Sequence, residues 1–294
     1  MRISALLFAA ALSSSAFVVA QPAPVASQSV PAPIYTDPPT DKAHPAAMEV
    51  LHIPTHGLLI NGLIYKPNGE GPHPTLVICH GLPGNEKNLD LAQAVRRAGW
   101  NAVTFNYRGS WGSPGSFRFA QDIEDANAVL AFLRDPANAA RLSIDAKRIA
   151  IAGHSMGGWV TAHVAAHDHA LIGAILISAA DMGGGTRPRA DIVAMMKDDM
   201  ESLVGVTAET MADEVMTHAN EFRFSGNVDG LAQIPLLVLS ADDGLAPMTD
   251  ALVKDITVKG NKQVTAIHIA TDHAWSDHRI YLESTIINWL ATLK

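Results

Sequence analysis

The sequence predicts an α/β protein with a mostly parallel β-sheet that is covered by helices on both faces. From Ala46 onward, short apolar runs alternate with amphipathic stretches, an order typical of strands joined by crossover helices. The chain has 294 residues, of which 48% are hydrophobic and 17% charged, so it can bury a large core. The predicted strands are Met48–Ile53, Leu58–Tyr65, Thr75–Cys79, Ala102–Phe105, Ile149–Ala152, Ala174–Ile177, Leu236–Leu239 and Val264–Ile269.

Composition excludes several classes of protein. The hydrophobic content rules out a disordered chain, and glycine does not recur at every third position as in collagen. A formal net charge of −8, from 29 acidic and 21 basic residues, disfavours a nucleic-acid partner, because phosphate binding depends on clustered Lys and Arg. The single cysteine, Cys79, can form neither an intramolecular disulfide nor a Cys-based zinc site.

Residues 1–20 have the pattern of a secretory signal peptide. Arg2 precedes an apolar run from Ile3 to Leu12, and small residues end the segment at Ala20. A membrane anchor is the alternative, but serines break the apolar stretch, which is shorter than the roughly 20 residues of a bilayer span. We therefore expect an exported protein, periplasmic or secreted, without a membrane anchor in its mature form.

Three segments follow the predicted signal peptide. Residues 21–45 are rich in Pro, Ala and Ser, which indicates an extended leader or linker. Residues 46–294 form the α/β domain, and within it residues 182–232 carry no strand-like run. We interpret that stretch as a small helical cap inserted after the sixth strand, because it is too long for a plain loop. The predicted helices are Leu89–Ala98, Gln121–Leu133, Met156–Ala166, Met248–Ile256 and Ile280–Leu293, with Ile192–Val204 and Ala208–Phe222 in the cap.

The predicted cap is rich in methionine. These side chains either pack in the core or form an adaptable surface for an apolar ligand, since the thioether is flexible and polarisable. The methionines are Met195, Met196, Met200, Met211 and Met216.

The clearest chemical motif is G-x-S-x-G at residues 153–157, which follows a predicted strand and opens a predicted helix. Its two glycines allow a sharp turn without Cβ clashes, so the hydroxyl of Ser155 is exposed above the sheet. The helix N-terminus behind the serine favours negative charge that develops there. We interpret Ser155 as a nucleophile; a glycine-rich turn with an idle serine is the alternative.

With this motif in its strand–turn–helix context, the chain from about Met48 to its C-terminus resembles the α/β-hydrolase family of serine hydrolases. The resemblance implies an eight-stranded sheet and the order serine, acid, histidine along the chain. A serine nucleophile needs a histidine base that a carboxylate orients. Family members place the acid four residues before a proline, here Pro247, which favours Asp243 over its neighbour Asp242.

The base is expected directly after the last strand. His273 occupies that position, where the resemblance implies the catalytic histidine. His278 lies about one turn further on and is expected to be a surface or supporting residue, whereas His268 lies inside the strand and is expected to be structural.

Two backbone N–H groups are expected to hold the oxyanion, one directly after the nucleophile and one in the loop after the third strand. Met156 supplies the first. Residues 78–85 resemble the family's His-Gly loop, which implies the N–H of Leu82 as the second donor, since Pro83 has no N–H. His80 is expected to brace this loop rather than to titrate in catalysis.

Residues 106–113, Asn-Tyr-Arg-Gly-Ser-Trp-Gly-Ser, resemble a loop of the prolyl-oligopeptidase and acylaminoacyl-peptidase branch. Arg108 and Trp111 either contact substrate there, or pair with a carboxylate and pack under the loop. By contrast, the Gly-His-Ser-Met-Gly-Gly sequence around Ser155 is typical of esterases, lipases and aminopeptidase-like hydrolases. The two motifs therefore favour different substrates.

Together these features predict an exported serine hydrolase that cleaves a carboxylic ester. A serine aminopeptidase or acyl-peptidase that acts on small peptides or amides is the second hypothesis, and a catalytically silent binding module with the same fold is the third. The expected partner is a small ester or a short peptide. No cofactor and no metal are expected. His163 and His167 share a helix face, but the stretch lacks the Glu of H-E-x-x-H and lies at the far end of the helix from Ser155, which disfavours a metal site.

Overall fold

A computed structural model describes residues 29–185 and 187–293 of the chain. Eight strands form one sheet in the order β1-β2-β4-β3-β5-β6-β7-β8. β2 pairs antiparallel with both β1 and β4, and every other pairing is parallel. The strands are β1 (Ala47–Thr55), β2 (Leu58–Lys66), β3 (His73–Cys79), β4 (Asn101–Phe105), β5 (Ile144–His154), β6 (Gly173–Ile177), β7 (Leu236–Ala241) and β8 (Val264–Ile269).

Helices cover both faces of this sheet, and all eight predicted strands are present. The helices are α1 (Leu89–Arg97), α2 (Phe119–Arg134), α3 (Pro136–Leu142), α4 (Met156–His167), α5 (Arg189–Met196), α6 (Ala208–Thr217), α7 (Val228–Leu231), α8 (Ala246–Val258) and α9 (Arg279–Leu290). The predicted α/β architecture is therefore confirmed. Among residues 29–185 and 187–293, no helix combines the length and apolar character needed to cross a bilayer.

Two helices were not predicted from the sequence, α3 and α7. α3 begins with a local signal, because the carboxylate of Asp135 accepts hydrogen bonds from the N–H groups of Ala137 and Asn138, and Pro136 occupies the first turn. An aspartate followed by proline is a typical helix start, since proline loses no hydrogen bond there.

The segment between β6 and β7 contains helices α5, α6 and α7 and no strand of the sheet, which places a helical cap after the sixth strand as predicted. Its first helix is shorter than the predicted Ile192–Val204, because α5 ends at Met196 and a single 3₁₀ turn follows. α6 begins with reciprocal hydrogen bonds between Thr207 and Thr210, a capping box that fixes its first turn.

The core lies on both faces of the sheet because successive strand residues point in opposite directions. In β3, for example, Val77 packs on the face covered by α2 and α4, whereas Leu76 and Ile78 pack on the face covered by α1 and α9. Trp159 of α4 is fully buried on the first of these faces.

The predicted signal peptide, residues 1–20, lies outside the described residues, as do residues 21–28 of the predicted leader. The described part of the leader contains a 3₁₀ turn, Ala32–Ile34. The guanidinium of Arg97 in α1 donates to the carbonyl oxygen of Pro33 at 2.5 Å, so this part of the leader contacts the helical layer.

Candidate active site

Ser155 lies in the sharp turn between β5 and α4. Its backbone has φ 58° and ψ −121°, a left-handed conformation that costs a residue with a side chain about 1–3 kcal/mol. The turn needs glycine on either side: a Cβ on Gly153 would lie 1.9 Å from the carbonyl oxygen of Gly157, and a Cβ on Gly157 would lie 2.2 Å from that of Cys79. Ser155 is partly exposed although its neighbours are buried.

Backbone hydrogen bonds hold Ser155 in this strained conformation. Its N–H donates to the carbonyl oxygen of Ile177 at the end of β6, at 2.9 Å. Its own carbonyl oxygen accepts from the N–H of Gly158 at 3.0 Å and from that of Ala180 at 3.1 Å. The turn is therefore fixed to the carboxyl end of the neighbouring strand.

His273 and Asp243 form a pair at the same edge of the sheet. Nδ1 of His273 lies 2.7 Å from Oδ2 of Asp243, and the aspartate side chain is only 3% exposed. Burial raises the pKa of Asp243, but hydrogen bonds from His273, the N–H of Leu245 and the hydroxyl of Ser178 outweigh burial and lower it. Asp243 is therefore an ionised carboxylate that holds the proton of His273 on Nδ1 and leaves Nε2 as the basic nitrogen.

The other aspartate and histidines suggested by the sequence lie in different pairs. Asp242 accepts from Nε2 of His268 at 2.9 Å, and both side chains are exposed. His278 lies 2.9 Å from Oδ1 of its neighbour Asp277, directly before α9. The structure thus brings Asp243, and not Asp242, to His273.

The loop after β3 lies against the nucleophile. A Cβ on Gly81 would be 3.0 Å from the Cβ of Ser155, so the two backbones are in close contact. His80 donates from Nδ1 to the carbonyl oxygen of Gly81 at 2.7 Å, and burial lowers the pKa of His80 to about 4. The neutral imidazole braces the loop that carries Leu82. The N–H groups of Leu82 and Met156 as oxyanion donors stay a prediction.

Arg108 and Trp111 occupy the neighbouring loop. The guanidinium of Arg108 donates to Asp125 and to Glu124 at 2.6 Å, and only 6% of the residue is exposed, so it pairs with carboxylates instead of facing the nucleophile. The indole N–H of Trp111 donates to the carbonyl oxygen of Pro83 at 2.5 Å, next to Leu82. Trp111 is 37% exposed and lies beside the candidate oxyanion loop.

Three further residues support the site and were not singled out from the sequence. His154 lies directly before the nucleophile, and its Nε2 donates to the carbonyl oxygen of His273 at 2.8 Å. Ser178 accepts a hydrogen bond from the indole N–H of Trp275 at 3.0 Å and itself donates to Asp243. The position of His154 inside the G-x-S-x-G motif could have identified it from the sequence. Ser178 and Trp275 are far apart in sequence, and no local pattern connects them.

Comparisons with known proteins identify the family and the fold. The model of a family described as the alpha/beta hydrolase family matches residues 76–279. The structure resembles a hyperthermophilic esterase from the archaeon Pyrobaculum calidifontis, with a TM-score of 0.63 and 20% identity over 84% of this chain and 86% of that one. It also resembles an acylaminoacyl peptidase from Pyrococcus horikoshii, with a TM-score of 0.63 and 18% identity over 85% of this chain and 42% of that one.

Among curated proteins, an uncharacterized protein of Mycobacterium tuberculosis is 28% identical over 122 residues. The match covers 41% of this chain and 42% of the relative, so the chain spans less than half the length of that protein. The similar solved structures share only about one fifth of their residues with this chain, so they show the fold. The family model matches the segment that contains all three candidate catalytic residues.

Proposed function

Since the chain belongs to the alpha/beta hydrolase family, we propose that it is a hydrolase and that it cleaves carboxylic esters through a covalent acyl-enzyme on Ser155. One observation carries this proposal: a strained serine at a strand–helix turn shares its edge of the sheet with an ionised aspartate bonded to a histidine at 2.7 Å. Burying a carboxylate costs free energy that hydrogen bonds must offset, and a carboxylate bonded to an imidazole in this way orients a general base.

In the first half of the reaction, Nε2 of His273 takes the proton of the Ser155 hydroxyl as Oγ attacks the carbonyl carbon. The carbonyl oxygen becomes an oxyanion, and the N–H groups of Leu82 and Met156 are the proposed donors to it. His273 then gives its proton to the leaving alkoxide. The alcohol departs, and the acyl group stays on Oγ as an ester.

The second half repeats these steps with water as the nucleophile. Nε2 of His273 takes a proton from the water, the resulting hydroxide attacks the acyl carbon, and the proton returns to Oγ of Ser155 as the carboxylic acid leaves. Asp243 stays ionised throughout because its hydrogen bonds outweigh its burial, and it stabilises the imidazolium that forms twice per cycle.

The test compares two serine variants on p-nitrophenyl butyrate. Ser155→Ala should reduce turnover at least about 1,000-fold, because it removes the nucleophile. Ser225→Ala, at an exposed serine of the cap, should hydrolyse the ester like the wild type. Equal hydrolysis by the wild type and Ser155→Ala would overturn the proposal, and an inactive wild type that binds small ligands would favour a binding module.

A peptidase is the second candidate, and one cavity favours it. A cavity of about 460 Å³ lies beside Pro83 and Trp111, and Asp198 and Glu201 of the cap line it. Two carboxylates and an indole ring could hold the free amine of a short peptide next to the candidate oxyanion loop. A higher kcat/KM on aminoacyl anilides than on p-nitrophenyl esters, lost on N-acetylation of the substrate, would establish the peptidase and displace the esterase.

We also propose that the protein is exported. The proposal is supported by the basic, apolar and small-residue regions of residues 1–20. Expression of the full chain in a bacterial host should yield a periplasmic or secreted form that begins at Gln21. An intact N-terminus on a form retained with the cytoplasm would contradict it.

A further inference from the structure

A cavity of about 290 Å³ lies between the cap helices α5 and α6 and the beginning of α8. Five of its lining side chains are methionines, which is half of the ten methionines in the sequence. They are Met182, Met195, Met196, Met216 and Met248. Thioether side chains are apolar and adapt their shape, so this wall can pack against flexible apolar groups.

The cavity adjoins the candidate catalytic residues through two backbone contacts. Ala180, which lines it, donates its N–H to the carbonyl oxygen of Ser155 at 3.1 Å. Leu245, which also lines it, donates its N–H to Oδ1 of Asp243 at 2.9 Å. One residue of the cavity wall therefore contacts the candidate nucleophile, and another contacts the candidate acid.

The carboxylate at this cavity already has hydrogen-bond partners. The carboxylate of Asp181 accepts a hydrogen bond from the N–H of Phe224 at 3.1 Å and further ones from the N–H groups of Gly183 and Gly184. Arg187 is exposed and directs Nη1 at the sulfur of Met195, at 2.7 Å. The backbone satisfies the one carboxylate among the described lining residues, and most of the other residues of the wall are apolar, so this wall is suited to an alkyl chain.

Two of the methionines lie at the surface, because Met195 is 53% exposed and Met216 is 47% exposed. Covering their exposed apolar area with an apolar ligand is favourable, because it removes that area from water. The volume lies near the lower end of the range of about 300–1,000 Å³ for ligand pockets, which favours a short or medium chain over a bulky group.

We propose that this methionine-lined cavity binds an unbranched, uncharged alkyl chain of the ester substrate and thereby sets its chain-length preference. The proposal rests on the esterase function proposed above and adds the substrate class. Met195 and Met216 are the specificity-determining residues: they contact the chain and stay outside the bond-making steps.

The experiment measures kcat/KM for p-nitrophenyl acetate, butyrate, hexanoate and octanoate. Since each methylene removed from water adds at most about a fourfold gain, kcat/KM of the wild type should rise about tenfold or more from acetate to hexanoate. In the double variant Met195→Gln and Met216→Gln, which keeps the side-chain length but adds polar amides, that ratio should fall about fivefold or more. Met48→Gln is the matched control, because Met48 is 63% exposed and lies in β1, outside the cavity.

Two further measurements sharpen the result. Ala219→Leu narrows the same cavity and should move the preferred substrate toward shorter chains. A parallel series of ethyl, butyl and hexyl acetates varies the alcohol chain, whereas the p-nitrophenyl series varies the acyl chain. The double variant should reduce the chain-length dependence in one of the two series, and that series identifies the chain that occupies the cavity.

Distinct outcomes separate this proposal from the proposed function. The cavity proposal would be overturned if the wild type hydrolysed every ester with no chain-length dependence. It would also be overturned if the double variant kept the chain-length dependence in both series. Either result would leave the esterase function intact. No hydrolysis of any ester by the wild type would overturn the proposed function and this inference with it.

Discussion

The imidazole of His154 donates a hydrogen bond from Nε2 to the carbonyl oxygen of His273 at 2.8 Å. The two rings are 4.6 Å apart, and His154 is the residue directly before Ser155. Burial, with a smaller contribution from the charge of His273, lowers the pKa of His154 to about 4. A neutral histidine thus links the strand that carries the candidate nucleophile to the loop that carries the candidate base.

Replacing His154 should therefore impair catalysis through the position of His273. His154→Ala removes the hydrogen bond, and because a shift of about 1 Å in a catalytic group can cost about 100-fold, we expect kcat/KM for p-nitrophenyl butyrate to fall by about that factor. His154→Gln keeps a side-chain N–H donor and should recover part of the loss. A fall in thermal stability with unchanged kcat/KM would show that His154 is only structural.

The same histidine should make stability depend on pH. Its pKa is about 4 in the fold against an ordinary value of 6.5, so between these values the unfolded chain binds a proton that the folded chain does not. The free energy of unfolding must then decrease as the pH falls from about 6.5 to about 4, by about 1.4 kcal/mol per pH unit for this histidine alone. Urea denaturation at several pH values should show a slope shallower by that amount in His154→Gln; equal slopes would contradict the assignment.

The two neighbouring aspartates should differ sharply in mutational effect. Asp243→Asn removes the charge that orients His273 and stabilises its protonated form, so we expect kcat to fall about 10,000-fold. Asp242→Asn alters only an exposed pair with His268 and should change kcat about twofold at most. Steady-state kinetics on one ester gives kcat for both variants. A larger loss of kcat in Asp242→Asn than in Asp243→Asn would identify Asp242 as the catalytic acid.

Ser178 should act on catalysis through Asp243. Its hydroxyl donates to that carboxylate, and a hydrogen bond to a charged group contributes about 1.5–3 kcal/mol. Ser178→Ala should therefore lower kcat about tenfold or more. It should also move the acid limb of the pH–rate profile to higher pH, because Asp243 becomes easier to protonate. Trp275→Phe removes the N–H donor to Ser178 together with part of a fully buried ring, and it should lower kcat by a smaller factor. Variants with the wild-type profile would contradict a positioning role.

Much of the fold was predictable from the sequence because the central parallel strands are buried on both faces. β6 and β7, for example, are buried along their whole length, so their sequences are nearly continuous apolar runs. The position of Ser155 was predictable too, since the turn requires glycine at 153 and 157. In both cases the physical requirement acts on neighbouring residues, so a short stretch of sequence shows it.

Contacts between distant segments were not predictable in this way. His154 and His273 are 119 residues apart, and Trp275 and Ser178 are 97 apart, so only the assembled sheet brings them together. The cavity depends on how the cap helices are rotated and where they end. Met196 is 7% exposed while Met195 is 53% exposed, a difference that the rotation of α5 determines and that methionine content alone does not reveal.

The central claim is that Ser155 is a nucleophile activated by His273 and Asp243. The most direct measurement is to treat the full chain with a fluorophosphonate, which reacts only with an activated serine, and to locate the added mass by peptide mapping. The account predicts one phosphonyl group, on Ser155, and its loss in His273→Ala. An unlabelled wild type, or a label on a different residue, would contradict it.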